Sequence, residues 1–117
     1  MEMHEINFEN ARPIDGYGPG FFRVGGQVFE GSLCVSPTSV ASWGGFEDTK
    51  TLMGFAGKID VLFVGTGAEI AHIPRDLRQM LEAAGIGVEV MNSPSACRTY
   101  NVLLSEGRRI AAALLAV

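Results

Sequence analysis

A chain of 117 residues with 47% hydrophobic and 19% charged side chains carries enough apolar surface to offset the entropy of ordering one core, which excludes the disordered class. Its net charge of −4, with Arg108-Arg109 as the only adjacent basic pair, argues against a nucleic-acid partner, because affinity for a phosphate backbone is built from clustered Lys and Arg. Two cysteines, Cys34 and Cys97, stand in no CxxC or Cys/His spacing, so neither a disulfide scaffold nor a zinc site is expected, and a reducing cytoplasm fits.

The opening residues hold no basic segment followed by an apolar stretch. The longest apolar run, Ile110 to Val117, is less than half of the roughly 20 residues that cross a bilayer. The expectation is one cytoplasmic domain over 1–117, without direct membrane insertion.

In chain order, a short strand is expected near Glu5 to Phe8. Pro13, Gly16, Gly18, Pro19 and Gly20 then predict an irregular loop over 10–20. Phe21 to Val24 and Gln27 to Glu30 flank Gly25-Gly26, a two-residue loop suited to the positive φ of a primed turn. They predict a hairpin with Phe22 opposite Phe29 and Arg23 opposite Val28. Phe22, Val24 and Phe29 would form its buried face. Gly31 marks a bulge before Leu33 and Val35 resume that face. Ser36-Pro37 turns the chain into Val40 to Trp43, which stops at Gly44-Gly45. Asp48 caps a short helix carrying Leu52, Met53, Phe55 and Ala56 and ending near Gly57.

Ile59 to Val64 is β-branched and almost wholly apolar, the pattern of a strand covered on both faces. Pro74 opens an amphipathic helix reaching Ala84, with Leu77, Met80, Leu81 and Ala84 on one face and Gly85 as its stop. Ile86 to Met91 alternates as a strand. Ser93 caps a helix opened by Pro94, whose stripe is Ala96, Tyr100, Leu103 and Leu104 and whose end is Gly107. Arg109 to Val117 has helix-favouring Ala and Leu but the length and uniform apolarity of a central strand; we read strand. This order implies an α/β domain, with helices against a sheet to which the N-terminal hairpin region adds antiparallel strands.

Pro37 to Trp43, Val64-Gly65-Thr66-Gly67, Pro74 through Gly85 and above all the run from Cys97-Arg98-Thr99-Tyr100-Asn101 to Gly107-Arg108 together resemble the Mth-type domain family. The resemblance spans most of the chain. Members of that family include the third mitochondrial assembly factor of respiratory complex I and an adipogenesis-associated Mth-domain protein. It implies a three-layer fold with a mixed central sheet, helices packed on it and an additional N-terminal antiparallel β layer. It brings no established catalytic residue and no cofactor. The function it implies is a non-catalytic interaction or assembly module with a protein partner.

Several residues nonetheless stand where chemistry is often found. Gly65-Thr66-Gly67 follows a buried strand, where open α/β sheets bind ligands and where glycine lets an amide approach a phosphate. A tight structural turn uses the same residues, and Ile70 stands where the third glycine of a dinucleotide fingerprint would. Asn92, Ser93 and Ser95 end the next strand. If the two strands are parallel neighbours, both loops face one crevice at the positive end of the 94–106 helix, where a small anionic ligand would meet amides and hydroxyls; an ordinary helix cap needs those groups too. Asn101 faces that crevice or holds a neighbouring loop. Cys97 in the first turn, with His72 as base, would make a thiol-dependent enzyme, the third reading after assembly module and anion binder. Trp43 beside Gly44-Gly45 is either a protein-binding anchor or a core residue at the sheet edge. Glu106 would pair with Arg108 or Arg109 as a structural ion pair. No convergent set of acid, base, nucleophile or metal ligands emerges.

Overall fold

The computed structural model describes residues 5–7 and 10–117. Among them the elements are β1 (Glu5–Asn7), β2 (Ile14–Gly18), β3 (Phe21–Val24), β4 (Gln27–Glu30), β5 (Leu33–Ser36), β6 (Ser39–Ser42), α1 (Thr49–Met53), β7 (Val61–Gly65), α2 (Arg75–Ala83), β8 (Gly87–Met91), α3 (Ser93–Ser105) and β9 (Ile110–Leu114). Phe8, which the first strand was expected to reach, lies outside the described residues.

All five residues of β9 are buried. A helix would hide only one stripe of such a run, whereas a strand inside a sheet hides both faces. β9 pairs in parallel with β7 from Val61↔Ile110 to Gly65↔Leu114 and antiparallel with β5 through Leu33↔Leu114 and Val35↔Ala112. This produces a mixed sheet in the order β1-β6-β5-β9-β7-β8 beside an antiparallel β2-β3-β4 sheet.

The two-residue period of the strands sorts the core into two halves. Ile110, Ala112 and Leu114 join Phe63, Leu33 and Val35 on one face, against Ala96, Cys97 and Tyr100 of α3 and Ile14, Phe22 and Val24 of the smaller sheet. Ala111 and Ala113 join Leu62, Val64 and Cys34 on the other, against Leu52 of α1 and Leu77 and Leu81 of α2. The fold is therefore three-layered, with the central sheet mixed and the N-terminal β layer on the α3 side.

The hairpin has the expected register, Phe22↔Phe29 and Arg23↔Val28, around a turn in which Gly25 and Gly26 have φ of 55° and 83°. Three expectations are corrected. The loop over 10–20 contains β2, paired with β3 through Tyr17↔Phe22 and Gly18↔Phe21 with an irregularity between Ile14 and Gly16; Pro13 and Pro19 bracket this strand and do not interrupt it. Gly31, with φ of 82°, does not bulge a continuing strand. It redirects the chain from the small sheet to the large one, since β5 pairs with β6 and β9. The helix after Asp48 stops at Gly54 and continues as hydrogen-bonded turns through Phe55 and Ala56. Its cap is the expected one: Asp48 accepts from Thr51 N at 3.3 Å and Thr51 Oγ1 at 2.7 Å. Pro74 sits one position before α2, as its N-cap.

Candidate functional site

β7 and β8 are parallel neighbours, so the loops after them meet at one end of the sheet. Asn92, and not Ser93, caps α3, its Oδ1 accepting from Ser95 N at 2.8 Å. This leaves Ser93, fully buried, to bind across layers. Its amide donates to Gly67 O at 2.8 Å, while its hydroxyl accepts from Gly67 N at 2.9 Å and donates to Leu115 O at 2.7 Å. Thr66 N donates to Met91 O, and Thr66 Oγ1 donates to Glu69 O at 2.8 Å and accepts from Ala71 N at 3.0 Å. Ser95 Oγ accepts from Arg98 at 3.1 Å.

The glycines serve the same junction. A Cβ on Gly65 would lie 2.7 Å from Ser93 Oγ and 2.8 Å from Ser93 Cα, so the absent side chain admits the start of α3. Gly67 has φ of 96°, a conformation that side-chain-bearing residues resist. The amides and hydroxyls that an anion would use here are engaged by the protein itself, joining β7, α3 and the end of β9.

Asn101 lies apart from this junction. Its Oδ1 accepts from Ile14 N at 2.8 Å and its Nδ2 donates to Ile14 O at 2.9 Å, so one side chain satisfies both backbone groups of Ile14 and fastens the small sheet to α3. Of the two sequence readings of Asn101, it holds a neighbouring segment.

Cys97 is buried in the α3-side core. Burial pushes its thiol up to about 11, against a smaller downward pull from the Arg98 charge. Such a thiol is protonated at neutral pH. His72 is exposed, and its neighbour Ile73 packs against the core on the opposite face of the sheet; the structure does not bring the pair together. Trp43 is 4% exposed, with Nε1 donating to Asp48 O at 3.3 Å and its ring 5.9 Å from Phe46 in an edge-on contact. The core alternative is the one observed, because Phe46 and the Asp48 turn fold over the indole. Arg109 does not pair with Glu106: its guanidinium donates to the Lys58 and Gly57 carbonyls and lies 4.0 Å from Asp60. Among the described residues no group of three His, Cys, Asp or Glu converges as a metal centre.

A concavity lies at the other end of the sheet. It measures about 810 Å³ and lies between the β5–β6 turn, the segment from α1 to Ile59, and the α3–β9 turn. Sequence reasoning missed it. The legible signal is Arg108-Arg109, the adjacent basic pair, for which the sequence offers only a structural ion pair with Glu106.

Residues 14–115 match the family described as protein of unknown function DUF498/DUF598. The chain belongs to this family. The DUF498 chain is 51% identical over 115 residues to an uncharacterised protein of Rhodobacter capsulatus, covering 98% of this chain and 93% of that one. It is 33% identical over 109 residues to the NADH dehydrogenase (ubiquinone) 1 alpha subcomplex assembly factor 3 of Danio rerio, covering 87% of this chain and 63% of that one. The DUF498 chain thus spans less than two thirds of that assembly factor's length. Among solved structures, an outer membrane protein from Bartonella henselae is similar with a TM-score of 0.84 and 36% identity, covering 94% of this chain and 98% of that one. A Mth938-like domain of Bordetella pertussis is similar with a TM-score of 0.76 and 29% identity, covering 98% and 92%. The Mth-type resemblance and its three-layer fold are thereby shown. No helix among the described residues is long and apolar enough to cross a membrane.

Proposed function

We propose that this chain is a single-domain, non-catalytic module that binds protein partners during assembly of an NADH dehydrogenase complex. The observation that carries this reading is the 33% identity to an assembly factor for that complex over 109 residues of the present chain. The residues nominated for other roles support it: Gly65, Thr66, Gly67 and Ser93 form a joint between layers, and the Cys97 thiol is buried and raised. The reading includes operation in the cytoplasm, for which two free, buried cysteines speak. Such a module works by presenting a rigid surface, which a stitched sheet end and a docked second sheet favour.

Cross-linking of the tagged chain in its native cells, followed by identification of the attached peptides, tests the proposal. Subunits of the NADH dehydrogenase complex are expected among the cross-linked partners. Their absence, with other partners reproducibly attached, would contradict it.

A further inference from the structure

The cavity of about 810 Å³ at the far end of the sheet gathers Lys50, Lys58, Arg108 and Arg109, four of the nine basic residues of an acidic chain. No carboxylate occurs among its described lining residues. Arg109 is held by the Gly57 and Lys58 carbonyls beside Asp60. The Lys58 ammonium and the Arg108 guanidinium belong to exposed residues and make no hydrogen bond or ion pair among the described residues. Two unpartnered cations therefore face one concavity, with Lys50 beside them.

The cavity has two kinds of wall. Phe55, Ile59 and Ile110 supply apolar surface. The β5–β6 turn supplies hydroxyls, where Ser36 Oγ lies 3.0 Å from Ser39 Oγ and 3.4 Å from Thr38 Oγ1. Cationic groups above apolar walls suit a molecule with an anionic head and an apolar or aromatic body. The volume falls within the range of about 300–1,000 Å³ typical of small-molecule sites. Among the described side chains outside the cavity, ten acidic ones face only five basic ones, a balance that repels an extended polyanion or an acidic protein surface but not a compact anion.

We propose that this cavity binds a small phosphorylated molecule, with Lys58 and Arg108 meeting the phosphate and the Phe55–Ile59 wall covering its body. The site is separate from the Gly67–Ser93 junction and independent of the assembly role.

Amide NMR titration with pyrophosphate and with adenosine diphosphate, in about 50 mM salt so that screening is modest, tests this. Saturable shifts are expected at Thr38, Lys58 and Gly107 to Arg109 with both probes. Replacing Lys58→Gln together with Arg108→Gln should weaken binding by about tenfold or more. Replacing Arg23→Gln together with Arg75→Gln, exposed residues outside the cavity, makes the same change in net charge and should leave binding unchanged. Three results would overturn the proposal: no saturable shift with either probe, shifts centred on Gly65 to Gly67, or equal weakening in both double variants. Shifts produced at the cavity by a hexaglutamate peptide but by neither probe would likewise overturn it, assigning the cavity to an acidic protein segment.

Discussion

Ser93 concentrates more tertiary bonding than any other residue nominated from the sequence, because three of its hydrogen bonds reach Gly67 and Leu115 from a fully buried position. Ser93→Ala removes the hydroxyl and leaves Gly67 N and Leu115 O without that partner, so chemical denaturation should show a loss of about 1–3 kcal/mol. Asn92→Ala removes only a cap and should cost about 1 kcal/mol. The ranking would be reversed if Ser93 were merely the cap. Cys97 makes a different prediction. Its thiol is raised from near 9.0 to about 11 by burial, and burial raises Tyr100 as well. The folded state keeps these protons at pH values where the unfolded chain releases them, so the stability is present below about 9 and falls as pH rises toward about 11. Cys97→Ala should reduce the slope of unfolding free energy against pH in that window; an unchanged slope would show that the thiol is not shielded.

At the scale of elements, the joint between α3 and the small sheet rests on Asn101, which does for Ile14 what a neighbouring strand would do. Asn101→Leu keeps the volume but leaves both Ile14 backbone groups unpaired, and should destabilise the protein by about 1–3 kcal/mol. Amide exchange should accelerate first at β2 and β3, while β7 and β9 keep their protection. Uniform acceleration across both sheets would show that the joint is not local. The elements themselves were legible where one physical signal dominated: nearly unbroken apolar character in β7 and β9, the Gly-Gly turn in the hairpin, and the apolar stripe of α2. β2 was not legible, because a strand of five residues containing two glycines and flanked by two prolines has the composition of a loop and is specified by its partner β3. The cap of α3 was ambiguous because Asn92 and Ser93 are both good capping residues, and only the packing of Gly65 against Ser93 decides between them.

For the whole molecule, the family and the three-layer order followed from motifs spread along most of the chain, yet the cavity did not. The segment carrying Lys50 and Lys58 approaches Arg108 because β7 lies parallel to β9 with Val61 opposite Ile110, and antiparallel β5 brings the Ser36–Ser39 turn to the same end; these are long-range pairings with no local signature. The position of Trp43 was likewise undecidable locally, since the same indole beside two glycines suits an anchor or a core. The function proposed for this DUF498 chain is assistance in the assembly of an NADH dehydrogenase complex, without thiol chemistry. Native-gel quantification of that complex in cells lacking the chain, resupplied with either the unaltered chain or Cys97→Ser, tests it most directly. The account predicts depleted complex without the chain and equal restoration by both forms; undiminished complex without the chain, or restoration by the unaltered chain alone when both forms fold, would contradict it.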